Sequence, residues 1–124
     1  LNKLSSDIRL VLKKTIERTK KNKKIIVNLA INYGAKQEII IATKKIKKNI
    51  NQKNLAKNLY TKNIPNPEIL IRTGGHQRLS NFMLWQLAYA ELYFLKKLWP
   101  DFTSRDLQAV IKRYKKSKRN FGAL

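Results

Sequence analysis

The chain predicts an α/β fold, a partial three-layer arrangement in which a mostly parallel sheet is flanked by helices. Three features carry that expectation. Residues 25–31 form a near-continuous apolar run rich in β-branched side chains, the pattern of a parallel strand covered on both faces. Apolar residues recur at helical spacing on either side of that run. A second short apolar run ending at Arg72 then leads through a glycine pair into another apolar segment, in the order strand, loop, helix.

The first helix opens at Ser5 or Ser6, ahead of Asp7, and gathers Ile8, Val11, Leu12, Thr15 and Ile16 on one face before ending near the lysines at 20–24. The strand at 25–31 follows, and Asn32, Tyr33 and Gly34 make a turn. Gln37 to Ala42 begins a second helix carried on by Ile46 and Ile50, and residues 51–59 form a shorter one. A strand at 69–72, a glycine loop and a helix from Asn81 to about Ala90 come next. Thr103 and Asp106 have the spacing of a capping box, with Asp in place of Glu, and start a last helix through Leu107, Val110, Ile111 and Tyr114. There is no internal repeat and no Gly/Ser- or Pro-rich linker, so residues 1–124 read as one domain or part of one.

Lys and Arg number 28 against 7 Asp and Glu, a formal charge of 28 − 7 = +21. Such a field attracts nucleic acid, anionic lipid headgroups or polyanionic substrates. Most of the excess is lysine on polar helix faces, accompanied by abundant Asn and Ile, so a solvated surface in an AT-biased composition accounts for much of it. A nucleic-acid-binding module is suggested by charge alone; the chain lacks a recognition motif or stacking platform, and a steep salt slope of duplex binding is its test. With no cysteine there is no disulfide framework or thiolate metal site. No apolar run approaches the ~20 residues of a membrane span, and the first residues lack the apolar stretch of a signal peptide. The expected location is the cytoplasm, with peripheral membrane association left open.

The chemistry concentrates in residues 72–81. Gly74 and Gly75 let backbone approach an anion and adopt positive φ, and Arg72 and Arg78 offer planar forks that grip phosphate oxygens in pairs. Glu68 and Glu91 are the only acids nearby, so neither arginine has an obvious local partner. If a helix begins at Asn81, its first turn adds unpaired N–H groups and the positive end of its dipole. Ser80 is then its N-cap, with a hydroxyl that could serve either the helix or a ligand oxygen. A diphosphate is the ligand this set would suit; an ordinary loop with solvated arginines is the alternative. Glu91 ends the apolar helix in this reading and needs a partner: either a capped or salt-bridged helix end, or a hard-oxygen ligand to Mg²⁺. At ~1.5 Å rise per residue Ser80 and Glu91 would stand ~16 Å apart along one helix, so joint service to one diphosphate requires Glu91 to reach a second subunit's site. Mixed Glu91→Ala and Arg72→Ala chains of an intact enzyme would then restore some active sites. His76, the only histidine, has no Ser/His/Asp or Cys/His arrangement around it.

Four blocks in order resemble the undecaprenyl diphosphate synthase family of cis-prenyltransferases: 28–34 (Asn-Leu-Ala-Ile-Asn-Tyr-Gly), 67–75, 78–92, and 99–102 (Trp-Pro-Asp-Phe). The resemblance implies a Mg²⁺-dependent, dimeric enzyme that condenses isopentenyl diphosphate with an allylic diphosphate into a long-chain polyprenyl diphosphate. Carried over by position, it assigns Arg72, Arg78, Leu79 and Ser80 to the diphosphate of isopentenyl diphosphate, Gly74 and Gly75 to the supporting loop, and Glu91 to Mg²⁺. The family usually has Glu at His76, Gly-Arg at Ala35-Lys36, and Arg at Asn120. It also begins with an Asp-Gly-Asn-Gly-Arg type segment, bearing the metal-binding aspartate and the allylic phosphate loop, that nothing here matches. The chain therefore reads as the C-terminal portion of one such domain, expected to be inactive alone with isopentenyl and farnesyl diphosphates and to expose an apolar sheet edge. A non-catalytic dimerisation partner of a complete synthase is the alternative, tested by co-purification with a full-length chain.

Overall fold

A computed structural model describes residues 4–118, which fall into two compact units meeting in sequence at Tyr33 and Gly34. In the first unit, helix α1 (Ser6–Thr19) begins after Ser5 with Asp7 in its first turn, as its sequence predicts. None of its residues is buried; Ile8, Val11 and Ile16 are all at least half exposed. Residues 25–31 do not form the expected strand: no ladder includes them, and Ile25 and Val27 are each 77% exposed. A strand exists only where a neighbour takes its N–H and C=O groups. The described strands pair with each other and none is left for this run.

The second unit is α/β. Helix α2 (Ala35–Lys44) packs against the short helix α3 (Gln52–Ala56) through Ala42, Leu55 and Leu59, with Ile46 and Trp85 closing over them. Asn51 caps α3 by accepting from the Asn54 amide at 2.9 Å. Strands β1 (Ile69–Arg72) and β2 (Glu91–Phe94) pair in parallel, Ile69 opposite Glu91 and Arg72 opposite Phe94. Side chains alternate along a strand, so Ile69, Ile71, Glu91 and Tyr93 share one face and Leu70, Arg72, Leu92 and Phe94 the other. A single 3-10 turn (Trp99–Asp101) stacks the Trp99 ring on Phe102 at 5.7 Å and leads into helix α4 (Ser104–Tyr114). The α4 residue Arg113 lies 5.2 Å from the centre of the buried Tyr93 ring, and Tyr114 donates its hydroxyl hydrogen to Glu68, so α4 covers the Tyr93 face of the sheet.

The segment between the strands departs most from expectation. In place of a helix from Asn81 to Ala90 there is a series of turns, with one helix-like bond from the Leu87 amide to the Met83 carbonyl at 3.0 Å. Ser80, Asn81 and Met83 have φ of +50°, +63° and +44°, incompatible with a right-handed helix. Tertiary bonds account for the difference. Asn81 is drawn onto the start of α2, and Gln86 donates to Glu38 and to the Thr61 hydroxyl, each at 3.1 Å. Ser80 is therefore not a helix N-cap, and Glu91 opens a strand where a helix end was expected. The ~16 Å axial separation computed for a shared helix lapses with that helix.

Candidate functional site

β1 delivers Arg72 to the carboxyl end of the parallel sheet, the edge where α/β proteins bind ligands. Its guanidinium Nη1 donates to the Ser80 hydroxyl at 2.9 Å and to the carbonyl of Arg78. Arg72 and the Ser80 side chain are thus brought together, and Arg78 joins them through its backbone. Of the five N–H donors of a guanidinium, those on Nε and Nη2 make no hydrogen bond to the described residues. Ser80, Arg78 and His76 are exposed, while Leu79 is half-buried.

Gly74 and Gly75 have the positive φ expected of them, +89° and +77°. Their amides serve the protein itself. Gly74 N donates to the Lys97 carbonyl at 2.7 Å and Gly75 N to the Leu95 carbonyl at 2.9 Å, while Leu95 N donates back to Arg72 O at 2.8 Å. The loop is stitched to the chain leaving β2. With those amides occupied and no helix starting at Asn81, an anion here would be held by side-chain forks and the Ser80 hydroxyl.

Glu91 stands elsewhere. It opens β2 opposite Ile69, on the face that α4 covers, whereas Arg72 lies three residues further along on the other face. At ~3.3 Å per residue that is roughly 10 Å along the strand. The Glu91 amide is bound to the Glu68 carbonyl at 2.9 Å. Among the described residues no three His, Asp or Glu side chains gather as a metal-binding group. Within one chain, then, Glu91 does not stand beside Arg72. The departures at Ala35 and Lys36 fall on the first turn of α2; Asn120 lies outside the described residues.

Three residues that sequence reasoning assigned no role support the site. Asn81 accepts the Ala35 amide at its backbone oxygen (2.8 Å) and the Lys36 amide at Oδ1 (2.9 Å), joining the loop to α2. Glu38, only 1% exposed, accepts from the Tyr60 amide at 2.7 Å and from buried Gln86. The available signal was a lone Glu and a lone Gln inside apolar runs, since a buried polar side chain requires partners.

Residues 1–122 match the family model described as "Putative undecaprenyl diphosphate synthase", and the chain belongs to that prenyltransferase family. An isoprenyl transferase of Rickettsia sibirica is 46% identical over 98% of this chain and 56% of its own length; one from Thermotoga maritima is 44% identical over 87% and 50%. Among solved structures, a probable undecaprenyl diphosphate synthase from Campylobacter jejuni matches with a TM-score of 0.85 at 40% identity, covering 98% of this chain and 59% of that one. Lavandulyl diphosphate synthase from Lavandula x intermedia, in complex with dimethylallyl diphosphate, matches with a TM-score of 0.91 at 32% identity over 98% and 56%. The chain spans about half the length of the curated relatives it matches.

Proposed function

We propose that this chain supplies the isopentenyl diphosphate site of a prenyltransferase that condenses isopentenyl diphosphate with an allylic diphosphate to give a long-chain polyprenyl diphosphate. The observation that carries the reading is the Arg72–Ser80 hydrogen bond at 2.9 Å, at the carboxyl end of β1 beside exposed Arg78. Arg72 grips diphosphate oxygens through Nε and Nη2, Arg78 closes from the loop, and the Ser80 hydroxyl, aimed by Arg72, meets a phosphate oxygen. Half-buried Leu79 backs the loop, and Gly74 and Gly75 turn the chain so that Arg72 and Ser80 meet. Such a set holds one substrate in place while the condensing double bond is oriented, which is where binding groups lower the barrier. The lavender neighbour's complex with dimethylallyl diphosphate supports a diphosphate ligand for this fold.

Glu91 is a hard-oxygen donor of the kind Mg²⁺ takes, one or two carboxylates with the remainder from phosphates and water. Because it stands apart from Arg72 in its own chain, we assign it to the diphosphate of a second copy in a homodimer. The isopentenyl diphosphate site is tested by titrating isopentenyl diphosphate into the chain by calorimetry. Arg72→Ala should weaken binding by about tenfold to a hundredfold, the loss of a charged hydrogen-bond pair. Equal affinity of Arg72→Ala and the unaltered chain would overturn the reading.

A further inference from the structure

We infer that Asn81 and Gly34 are positioning residues: together they clamp the 72–81 loop onto the first turn of α2 and so hold the Ser80 hydroxyl against Arg72. The inference rests on the diphosphate reading above for its purpose, and on backbone geometry for its substance.

Ser80 and Asn81 are successive non-glycine residues at φ +50° and +63°. Left-handed backbone is unfavourable for residues that carry a Cβ, and such conformations persist only where surrounding bonds over-determine them. The structure identifies those bonds. The first amides of a helix have no partner within it. In α2 those of Ala35 and Lys36 are both taken by Asn81, through its carbonyl at 2.8 Å and its Oδ1 at 2.9 Å. Asparagine suits the position doubly, because it tolerates left-handed φ and its short amide reaches the second donor.

Gly34 precedes the helix with an extended φ of −147°, so no unusual backbone conformation requires glycine there. Space does: a Cβ at Gly34 would lie 2.9 Å from Asn81 Nδ2. A side chain at 34 would therefore displace the Asn81 amide, whose Oδ1 accepts from the Lys36 amide. With that bond disturbed, Ser80 is held at φ +50° by its contact with Arg72 alone, and its hydroxyl loses its fixed position against the guanidinium. The device belongs to the second unit throughout, and neither Asn81 nor Gly34 needs to touch substrate.

The test uses Asn81→Ala and Gly34→Ala, with Leu55→Val as a core variant remote from the loop. Isopentenyl diphosphate affinity is measured well below each variant's own melting temperature, so lost stability alone leaves it unmoved. Both loop variants are expected to bind about tenfold more weakly than the unaltered chain, the scale of one lost hydrogen bond and a displaced group, and Leu55→Val to bind like it. A second readout needs no ligand: the Arg72 guanidinium NMR signals, held by Ser80 in the unaltered chain, should broaden toward free rotation in both loop variants. Unchanged Arg72 signals in Asn81→Ala and Gly34→Ala would overturn the clamp even if the chain binds substrate. Changed signals with no binding by any chain would support the clamp and refute the diphosphate reading.

Discussion

At Gly74 no atom lies within 4 Å of where a Cβ would stand, so a side chain there meets only the strain of φ +89°. That isolates the backbone term. Gly74→Ala should lower stability by about 1–2 kcal/mol, the cost of left-handed backbone for an L residue. It is read as a lower denaturant midpoint at constant slope; an unmoved midpoint would show that the loop does not need positive φ. Glu38 presents the opposite case, a carboxylate whose role comes entirely from its surroundings. Buried between the Tyr60 amide and Gln86, it ties α2 to the segment after α3 and to the turns that carry Ser80. Removing it would leave the buried Gln86 amide with the Thr61 hydroxyl as its acceptor and cut the tie to the Tyr60 amide, a cost of about 1–3 kcal/mol.

Among the elements, α4 shows how a capping group extends its reach. Asp106 accepts from the Thr103 amide at 2.9 Å and from the Lys97 ammonium at 2.8 and 2.9 Å, so it caps α4 and anchors the chain leaving β2. The Lys97 ammonium, helped by the Thr103 hydroxyl and amide, holds the Asp106 carboxyl down to about 2 from 3.8. A carboxyl that binds its proton less readily in the folded chain than in the unfolded one stabilises the fold increasingly as pH rises through that interval. The stabilisation is fully present above 3.8 and is lost as pH falls toward 2. The melting temperatures of the unaltered chain and Asp106→Asn should therefore differ at neutral pH and converge across that acid window. A constant difference down to pH 2 would show that the Lys97–Asp106 pair contributes nothing.

For the whole molecule, the parallel sheet sets the division of labour. Arg72 at its carboxyl end and Glu91 at its amino end stand apart within one chain, so the proposed role of Glu91 toward Mg²⁺ falls to a second chain. Glu91→Ala should bind isopentenyl diphosphate with no gain on adding Mg²⁺, and Arg72→Ala should bind it about tenfold to a hundredfold more weakly than the unaltered chain. A mixture of the two should recover a Mg²⁺-enhanced fraction of sites, seen by calorimetry with and without the metal. Absence of any recovery, with both variants shown to associate, would remove Glu91 from the site.

Much of the layout was legible because it rests on local rules. The capping spacing of Thr103 and Asp106, the β-branched run at Ile69–Arg72, the start of α1 after Ser5 and the positive φ of Gly74 and Gly75 are all set by residues within a few positions of one another. So was the cluster of Arg72 with Ser80, eight positions apart and brought together by a glycine turn. The segment 81–90 was not, because its apolar spacing suits a helix in isolation and only the distant amides of Ala35 and Lys36 and the carboxylate of Glu38 turn it into a chain of left-handed turns. Residues 25–31 depart from the expected strand for a related reason: β-branched apolarity states a preference for extended backbone, but a ladder forms only when another strand lies alongside. The sequence by itself thus determined the α/β class, the starts of α1 and α4, and the grouping of Arg72 with Ser80. The tertiary structure alone decided which backbone donors stayed available and at which end of the sheet Glu91 stands, since hydrogen-bond partners far apart in sequence outbid local propensity.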